Sequence, residues 1–398
     1  MKLRTILAAG AASLAFAAAG WAETYVMTAS ADYSGPFADV MPDAMAGLKA
    51  TVDWWNAEVG KDLGVDVQLK IYDMRYDGAV IAKTRPAILS SDHPVMHLGF
   101  GSPDLVTLMG RLPNDKVPML IGTAMVGLVW KPGGWHFSIR PTYSHEFAGL
   151  FPHLQDAKGG LFRIAAISTQ NQAGFVDQVN GVKQLARQYP DRFAATGVQW
   201  AETSPVSLTA QVRAALADDP DVLLIGGTTA QVIAASKAMH ELGKRVPISV
   251  TTTHNGLCEV SKGIPLEKIE GSMAAFSFAA PGKADLPMRD VFEAHKTDGH
   301  WGLITAQASA QAILALRVLE KAIAAHGKDA VDGQAMYDSL LANTFTEAEL
   351  LGVLPTLDSD ASAPFPIGEI KATAEIVRGG AITGLTDGWF AVPALDKW

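Results

Sequence analysis

Six short stretches rich in glycine, hydroxyl and amide side chains each follow an apolar run of the sequence. They are SADYSGPFAD (30–39), GFGSPD (99–104), GTAMVG (122–127), STQNQAGF (168–175), GGTT (226–229) and TTTHNG (251–256). Such stretches offer hydroxyls, amides and, at the starts of helices, free backbone N–H groups. These groups bind polar or anionic molecules through hydrogen bonds. The pattern therefore predicts a binding surface rather than a site for covalent chemistry.

The motifs of the common catalytic sites are missing from the sequence. It has no phosphate-binding P-loop, no Gly-x-Ser-x-Gly elbow and no His-Glu-x-x-His pair, and Cys258 is its only cysteine. GFGSPD matches only part of a dinucleotide-binding fingerprint. His93 with His97, or the histidines near Glu146, could ligate a metal, but capping or solvent-facing histidines explain these spacings better. We expect no catalytic residues, no metal site and no cofactor.

Strand and helix patterns alternate along the chain and place all six stretches at equivalent points. The run VDVQLKIY alternates apolar and polar residues, as a half-buried strand does. The alternation of strands and helices restarts after FSIRPTYSHEF, at about residue 163, which indicates a second α/β unit. Alternating strands and helices predict parallel sheets, and ligands bind at the carboxyl ends of such strands. We therefore expect the six stretches to face a common cleft.

The N-terminal segment MKLRTILAAGAASLAFAAAGWA has the composition of a secretory signal peptide. Lys2 and Arg4 precede a short apolar stretch, and Gly20 and Ala22 have the small-residue spacing of a cleavage site. A membrane anchor is the alternative, but the apolar stretch is short for that role. The net charge of −9 and the lack of basic runs argue against nucleic acid as a partner. We expect a periplasmic protein without stable membrane insertion, from which residues 1–22 are removed.

Several segments follow one another in an order that is typical of one family. They are a signal peptide, Ser34-Gly35-Pro36 after the first strand, and then WWNAEVG, IYDMRYD, VPMLIGTAM, FSIRPT and DVLLIGG. This order resembles that of the type I periplasmic solute-binding proteins of ABC importers, in the branch of the leucine/isoleucine/valine-binding proteins. The resemblance covers nearly the whole chain after the signal peptide.

The resemblance implies an α/β fold with two doubly wound parallel-sheet lobes joined by three crossovers, a Venus-flytrap arrangement. Lobe 1 would comprise residues 23–141 plus 274–348, and lobe 2 residues 142–273 plus 349–398. A small-molecule ligand would bind between the lobes, which close around it. The loaded protein, a monomer, would then dock on a membrane ABC permease.

The resemblance also implies which residues contact the ligand. In amino-acid-binding members, first-lobe hydroxyl and backbone N–H groups hold the ligand carboxylate, and an aromatic of the first loop packs on the ligand. The matching first-lobe positions are Tyr33, Phe37, Gly101, Ser102, Thr123, Ala124 and Met125. The strand ends of the second lobe add Gln172, Phe175, Thr228, His254 and Asn255. The alternative for the hydroxyl residues is helix capping, for the aromatics core packing, and for His254 and Asn255 a turn.

The second lobe lacks the acidic residue that usually pairs with the ligand's ammonium group. By alignment that acid would fall near Asn255, and a neutral amide offsets little of the cost of burying an ammonium ion. The sequence therefore favours a carboxylate ligand, aromatic or otherwise, without an α-ammonium. A branched-chain or other amino acid, or an amide, is the alternative ligand. A ligand-sensing domain for a membrane receptor and an exported α/β enzyme are the alternative functions.

Overall fold

The computed structural model describes residues 22–386 and 388–398, without the side chain of Thr253. Apart from Ala22, the predicted signal peptide lies outside the described residues. Within these ranges, none of the helices combines the length and the apolar character that crossing a bilayer requires.

The first sheet has five parallel strands in the order β2-β1-β3-β4-β5. They are β1 (Glu23–Ala31), β2 (Val65–Asp73), β3 (Met96–Gly99), β4 (Met119–Ile121) and β5 (His136–Ser138). Strand β2 begins with the predicted alternation, since Val65 and Val67 are buried whereas Asp66 and Gln68 are exposed.

The second sheet has eight strands, with β12-β11-β10-β9-β8-β6-β7 in order and β13 paired to β11. Strands β6 to β10 are parallel, and β11, β12 and β13 pair in antiparallel fashion. The strands are β6 (Phe162–Ser168), β7 (Phe193–Trp200), β8 (Val222–Gly226), β9 (Ile248–Val250), β10 (Met273–Phe276), β11 (Lys371–Arg378), β12 (Ala381–Gly384) and β13 (Phe390–Ala391).

Helices connect and cover the strands. They are α1 (Met41–Trp55), α2 (Lys61–Leu63), α3 (Gly78–Asp92), α4 (Ser102–Leu108), α5 (Leu112–Asp115), α6 (Tyr143–Lys158), α7 (Ala173–Gln188), α8 (Thr209–Ala215), α9 (Thr229–Glu241), α10 (Leu257–Ser261), α11 (Pro287–His295), α12 (Leu303–His326) and α13 (Gly333–Ala342). A π-helical segment, Asn56–Gly60, joins α1 to α2, and 3₁₀ turns lie at Thr253–Asn255 and Leu266–Ile269.

The long helix α12 packs against α1 on the first lobe, although more than 240 residues separate them. Gly47 allows their close approach, since a Cβ there would lie 2.7 Å from the carbonyl oxygen of Thr305. The chain thus leaves the first sheet, builds the second, returns to the first lobe and ends in the second sheet. The prediction of two α/β lobes joined by three crossovers is confirmed.

Two features of the fold bear on where the crossovers lie. Strand β10 belongs to the second sheet as far as Phe276, three residues beyond the boundary predicted at 273/274. Farther along, the backbone N–H of Ser138 on β5 donates to the carbonyl of Pro364, so this part of the chain lies against the first sheet. We propose crossovers near residues 139–142, 277–281 and 366–370.

Candidate functional site

A small cavity lies between the lobes, where strands of both sheets end. Its volume is about 30 Å³. The lobes are closed around it, since the rings of Phe37 and His254 meet across it with centroids 4.5 Å apart. Residues of both lobes line it: Phe37, Tyr76, Phe100, Gly101, Ser102, Gly122, Thr123, Tyr143, Gly174, Phe175, His254 and Gln307. We call this the cleft cavity.

Aromatic rings from both lobes form one wall of the cleft cavity. The ring of Phe37 packs edge-on against Tyr76, with ring centroids 4.5 Å apart, and lies 6.0 Å from Phe100. Across the cleft, the same ring lies 4.5 Å from the imidazole of His254, which is 5.8 Å from Phe175. The first loop and the second lobe therefore meet through an apolar contact.

Four hydroxyl groups also belong to the lining, including that of Tyr76. The Ser102 hydroxyl lies 3.3 Å from that of Tyr76, and the Thr123 hydroxyl lies 2.9 Å from that of Tyr143. Burial raises the pKa of Tyr143, so its phenol stays protonated and can donate a hydrogen bond. These pairs offer donors to an oxygen-rich group.

Among the described residues that line the cleft cavity, His254 alone has an ionisable imidazole or carboxyl group. Its Nε2 atom lies 3.2 Å from the carbonyl of Gly227, to which it donates. Loss of solvation lowers its pKa to about 4, so the ring is neutral at physiological pH. The described lining thus carries neither a carboxylate nor a positive charge.

A buried ion pair stands at the first crossover, behind the cleft cavity. The guanidinium of Arg140 donates to both carboxylate oxygens of Glu146, at 2.8 and 2.5 Å. It also donates to the Gln307 side chain at 2.9 Å and to the Thr251 carbonyl at 2.7 Å. Since Gln307 belongs to the first lobe and Glu146 and Thr251 to the second, Arg140 joins the two lobes.

A glycine permits the close approach of the lobes at the cavity. Gly174 lies at the start of α7, and a Cβ at this position would lie 2.6 Å from the hydroxyl oxygen of Ser102 on α4. That distance is shorter than real Cβ contacts. Glycine at position 174 therefore leaves room for the Ser102 hydroxyl, which would have to turn away from a larger residue.

Half of the predicted site residues line the cleft cavity. Phe37, Gly101, Ser102 and Thr123 reach it from the first lobe, and Phe175 and His254 reach it from the second. These six residues come from loops of both lobes, and their contact with a ligand stays a prediction.

The other predicted residues lie outside the lining. Thr228 caps α9, where its hydroxyl accepts from the backbone N–H of Gln231. Asn255 is fully buried, donates to the carbonyl of Gly227 and accepts from the hydroxyl of Thr252. Tyr33 is 44% exposed beside Asp73.

The remaining three predicted residues have structural positions next to the cleft. Ala124 and Met125 are buried in the first lobe, and the carbonyl of Ala124 accepts from the N–H of Tyr143. Gln172 is half-buried at the N-cap of α7. None of the three lines the cleft cavity.

Six lining residues were not predicted from the sequence: Tyr76, Phe100, Gly122, Tyr143, Gly174 and Gln307. Gly122 and Gly174 lie in two of the six polar stretches, and so does Phe100, beside Gly101. Tyr76 follows the edge strand β2, whose end the strand pattern could have added. Gln307 comes from α12, and nothing local in the sequence connects it with this cleft.

Two of the histidines considered as metal ligands have other partners. His97 lies within hydrogen-bond distance of Thr28 and Ser30 in the first lobe, and His145 is bonded to Thr142. Among the described residues, no three His, Cys, Asp or Glu side chains are grouped as a metal site would require.

The sequence as a whole matches one family. The pattern of the periplasmic binding protein family matches residues 28–374, so the chain belongs to this family. A search of curated protein sequences finds no significant match.

Solved structures of transport-related binding proteins share the fold. An ABC transporter substrate-binding protein from Aeropyrum pernix is 18% identical, with a TM-score of 0.80, covering 94% of this chain and 97% of the other. A branched-chain amino acid ABC transporter protein from Thermus thermophilus, with bound valine, is 14% identical, with a TM-score of 0.76 and the same coverage. A fatty acid ABC transporter substrate-binding protein from Thermomonospora curvata is 16% identical, with a TM-score of 0.75, covering 94% and 93%.

Proposed function

We propose that this protein is the periplasmic substrate-binding component of an ABC importer and that its solute is a small carboxylate without an α-ammonium group. The solute binds in the cleft cavity, the lobes close over it, and the closed form delivers it to a membrane permease. The protein itself carries out no reaction on the solute. Membership of the periplasmic binding protein family supports the transport role.

The observation that carries the choice of solute is the lining of the cleft cavity. Its four hydroxyl groups form two hydrogen-bonded pairs, Tyr76 with Ser102 and Thr123 with Tyr143, so one O–H of each pair is available as a donor. No described lining residue is an aspartate or glutamate. A carboxylate accepts several such hydrogen bonds. An α-ammonium would be buried without a countercharge, which costs several kcal/mol.

Two ionisable groups at the cleft cavity, Arg140 and His254, do not change this balance. Arg140 is buried, but Glu146 neutralises its charge. His254, which stands beside the position expected for the acid, is neutral and lies between apolar rings. These features favour a ligand with one anionic end and an apolar body.

The size of the closed cavity favours a short ligand. A volume of about 30 Å³ accommodates only one or two water molecules. An aromatic acid would hold the lobes farther apart than they are in this structure, whereas a short-chain acid requires a smaller adjustment. Short acids are therefore the first ligands to test.

A matched pair of ligands tests the proposal. Valine is isovalerate with an added α-ammonium, and 3-phenylpropanoate stands in the same relation to phenylalanine. We expect the acids to raise the melting temperature of the purified protein more than the amino acids do, because ligand that binds the native state stabilises it. Calorimetric titration then gives the affinities, and Ser102→Ala and Thr123→Val should each weaken binding of the acid by about tenfold.

A control variant separates loss of a donor from general damage. Ser90→Ala removes an exposed hydroxyl that bonds the Ala87 carbonyl on α3, far from the cleft, and should bind the acid as the wild type does. Tighter binding of valine than of isovalerate would reject the carboxylate proposal and favour an amino acid transporter. Conversion of any bound acid to a product would reject the non-enzymatic role.

A further inference from the structure

A second and larger cavity lies outside the cleft, on the antiparallel edge of the second sheet. Its volume is about 380 Å³, within the range of small-molecule sites. One wall is formed by β11, β12 and the residues Thr386, Gly388 and Trp389, and the other by residues 279–284 and Glu347. It shares no residue with the cleft cavity.

Glu375 on β11 lines this second cavity and is 7% exposed. Among the described residues, its carboxylate has neither a hydrogen-bond donor nor a cationic partner, and the group that acts on it electrostatically is another acid, Glu259. Burial raises its pKa to about 7. A buried carboxylate without a partner costs free energy, which a bound cation would offset.

The strand register leaves open space around Glu375. The residues opposite it on the two neighbouring strands are Ala274 on β10 and Gly384 on β12. The methyl group of Ala274 is too small to cover the carboxylate, and Gly384 has no side chain. Thr373, two residues earlier on the same face of β11, also lines the cavity and adds a hydroxyl group.

The other residues of the lining contribute a paired charge and an apolar surface. Lys283 lies 3.6 Å from Glu347, which also accepts from the indole N–H of Trp389 at 3.5 Å, so these two charges cancel. Trp389, Ile382, Ala279 and Ala280 supply apolar area. When Glu375 is ionised, the described side chains that line the cavity therefore carry one uncompensated negative charge, and the lining also includes an indole ring, which attracts cations.

We propose that this cavity is a second ligand site, which binds an organic ammonium ion with a short apolar body. The ammonium group pairs with Glu375 and donates to the hydroxyl of Thr373, and the apolar body packs on Trp389. An organic cation fits better than a metal ion, because no cluster of three potential metal ligands occurs among the described residues. The proposal does not depend on the solute of the cleft cavity.

Calorimetric titration of the full-length protein with 2-phenylethylammonium tests the proposal, at a pH about one unit above the pKa of Glu375, where its carboxylate is ionised. Neutral 2-phenylethanol, of nearly the same shape, is the matched control ligand. We expect the ammonium ion to bind at least about tenfold more tightly than the alcohol. If the two ligands bound the wild-type protein equally, or if the ammonium ion did not bind it at millimolar concentration, the proposal would be overturned.

Three variants locate the binding. Glu375→Gln should weaken binding of the ammonium ion by about tenfold or more. Glu293→Gln, which removes an exposed carboxylate paired with Lys296, controls for net charge and should have no effect. Phe37→Ala alters the cleft cavity and should also leave this binding unchanged. Loss of binding in Phe37→Ala with retention in Glu375→Gln would assign the ammonium ion to the cleft and contradict the second site.

Discussion

At the scale of single residues, the contact between Gly174 and Ser102 limits how closely the lobes approach. In Gly174→Ala the new methyl group would meet the Ser102 hydroxyl at 2.6 Å in the closed form. Alanine also favours the helix by about 1 kcal/mol relative to glycine. We therefore expect an unliganded protein that is as stable as the wild type or slightly more stable, with ligand affinity reduced about tenfold or more. Thermal unfolding and calorimetric titration with the acid measure the two effects separately.

Gly110→Ala is the control for the Gly174 variant. No heavy atom would come within 4 Å of a Cβ at position 110, so neither stability nor affinity should change appreciably. If Gly174→Ala bound the acid as tightly as the wild type, the closed form that binds ligand would differ from this structure at the contact between α4 and α7.

At the scale of secondary-structure elements, the ion pair of Arg140 and Glu146 fixes the first crossover to α6. Glu146→Gln would leave the guanidinium buried without its countercharge, since both side chains are 0% exposed. We expect a loss of about 3 to 5 kcal/mol in the free energy of unfolding, measured in urea. The double variant Arg140→Met with Glu146→Gln should lose less, because no unpaired charge remains.

An exposed ion pair serves as the control for the buried pair of Arg140 and Glu146. Glu369 and Lys371 lie 3.3 Å apart at the surface, and Glu369→Gln should change the free energy of unfolding by less than about 1 kcal/mol. Equal losses in Glu146→Gln and Glu369→Gln would contradict the structural role of the buried pair.

The strands and helices could be predicted from the sequence better than the contacts between them. The alternation of strands and helices predicted the two lobes, because periodicity records which face of an element is buried. It also located the loops of Phe37, Ser102 and His254, since strand ends of a parallel sheet meet at one edge. It did not predict that Gln307 lines the cleft cavity, since this residue reaches the cleft through packing of α12 on α1. It also could not decide which aromatic of the first loop, Phe37 or Tyr33, lines the cavity. Such distinctions depend on tertiary packing, which a local sequence pattern does not contain.

At the scale of the whole molecule, closure should depend on pH through His254. In the closed form its pKa is about 4, whereas exposure in an open form returns it toward 6.5. Closure therefore expels a proton from His254. The contribution of the neutral imidazole to the free energy of closure is complete above about pH 6.5 and is lost as the pH falls toward 4. Relative to a His254→Gln variant, the wild type should lose about tenfold in ligand affinity between pH 7 and pH 5.

Measuring both proteins at each pH cancels the titration of the ligand itself and of other groups at the lobe contact. Asp177 is the main such group: its carboxylate accepts from the backbone N–H of Leu128 across the cleft, and burial raises its pKa to about 7. Its contribution has the opposite sign, because the closed form holds a proton that an open form would release. An affinity ratio that stays constant from pH 7 to pH 5 would show that His254 is not exposed on opening.

Because the chain passes between the two lobes three times, each lobe can be completed only late in synthesis. The first lobe lacks its long helix α12 until residues 303–326 are made, and the second sheet lacks β11 until residues 371–378 are made. Until then the edge of β10 that β11 will occupy is unpaired, and α1 lacks the partner that covers it. Neither lobe can fold early and independently, and both depend on contacts between distant residues, which form slowly. The nascent chain therefore stays incompletely folded until nearly all of it has left the ribosome.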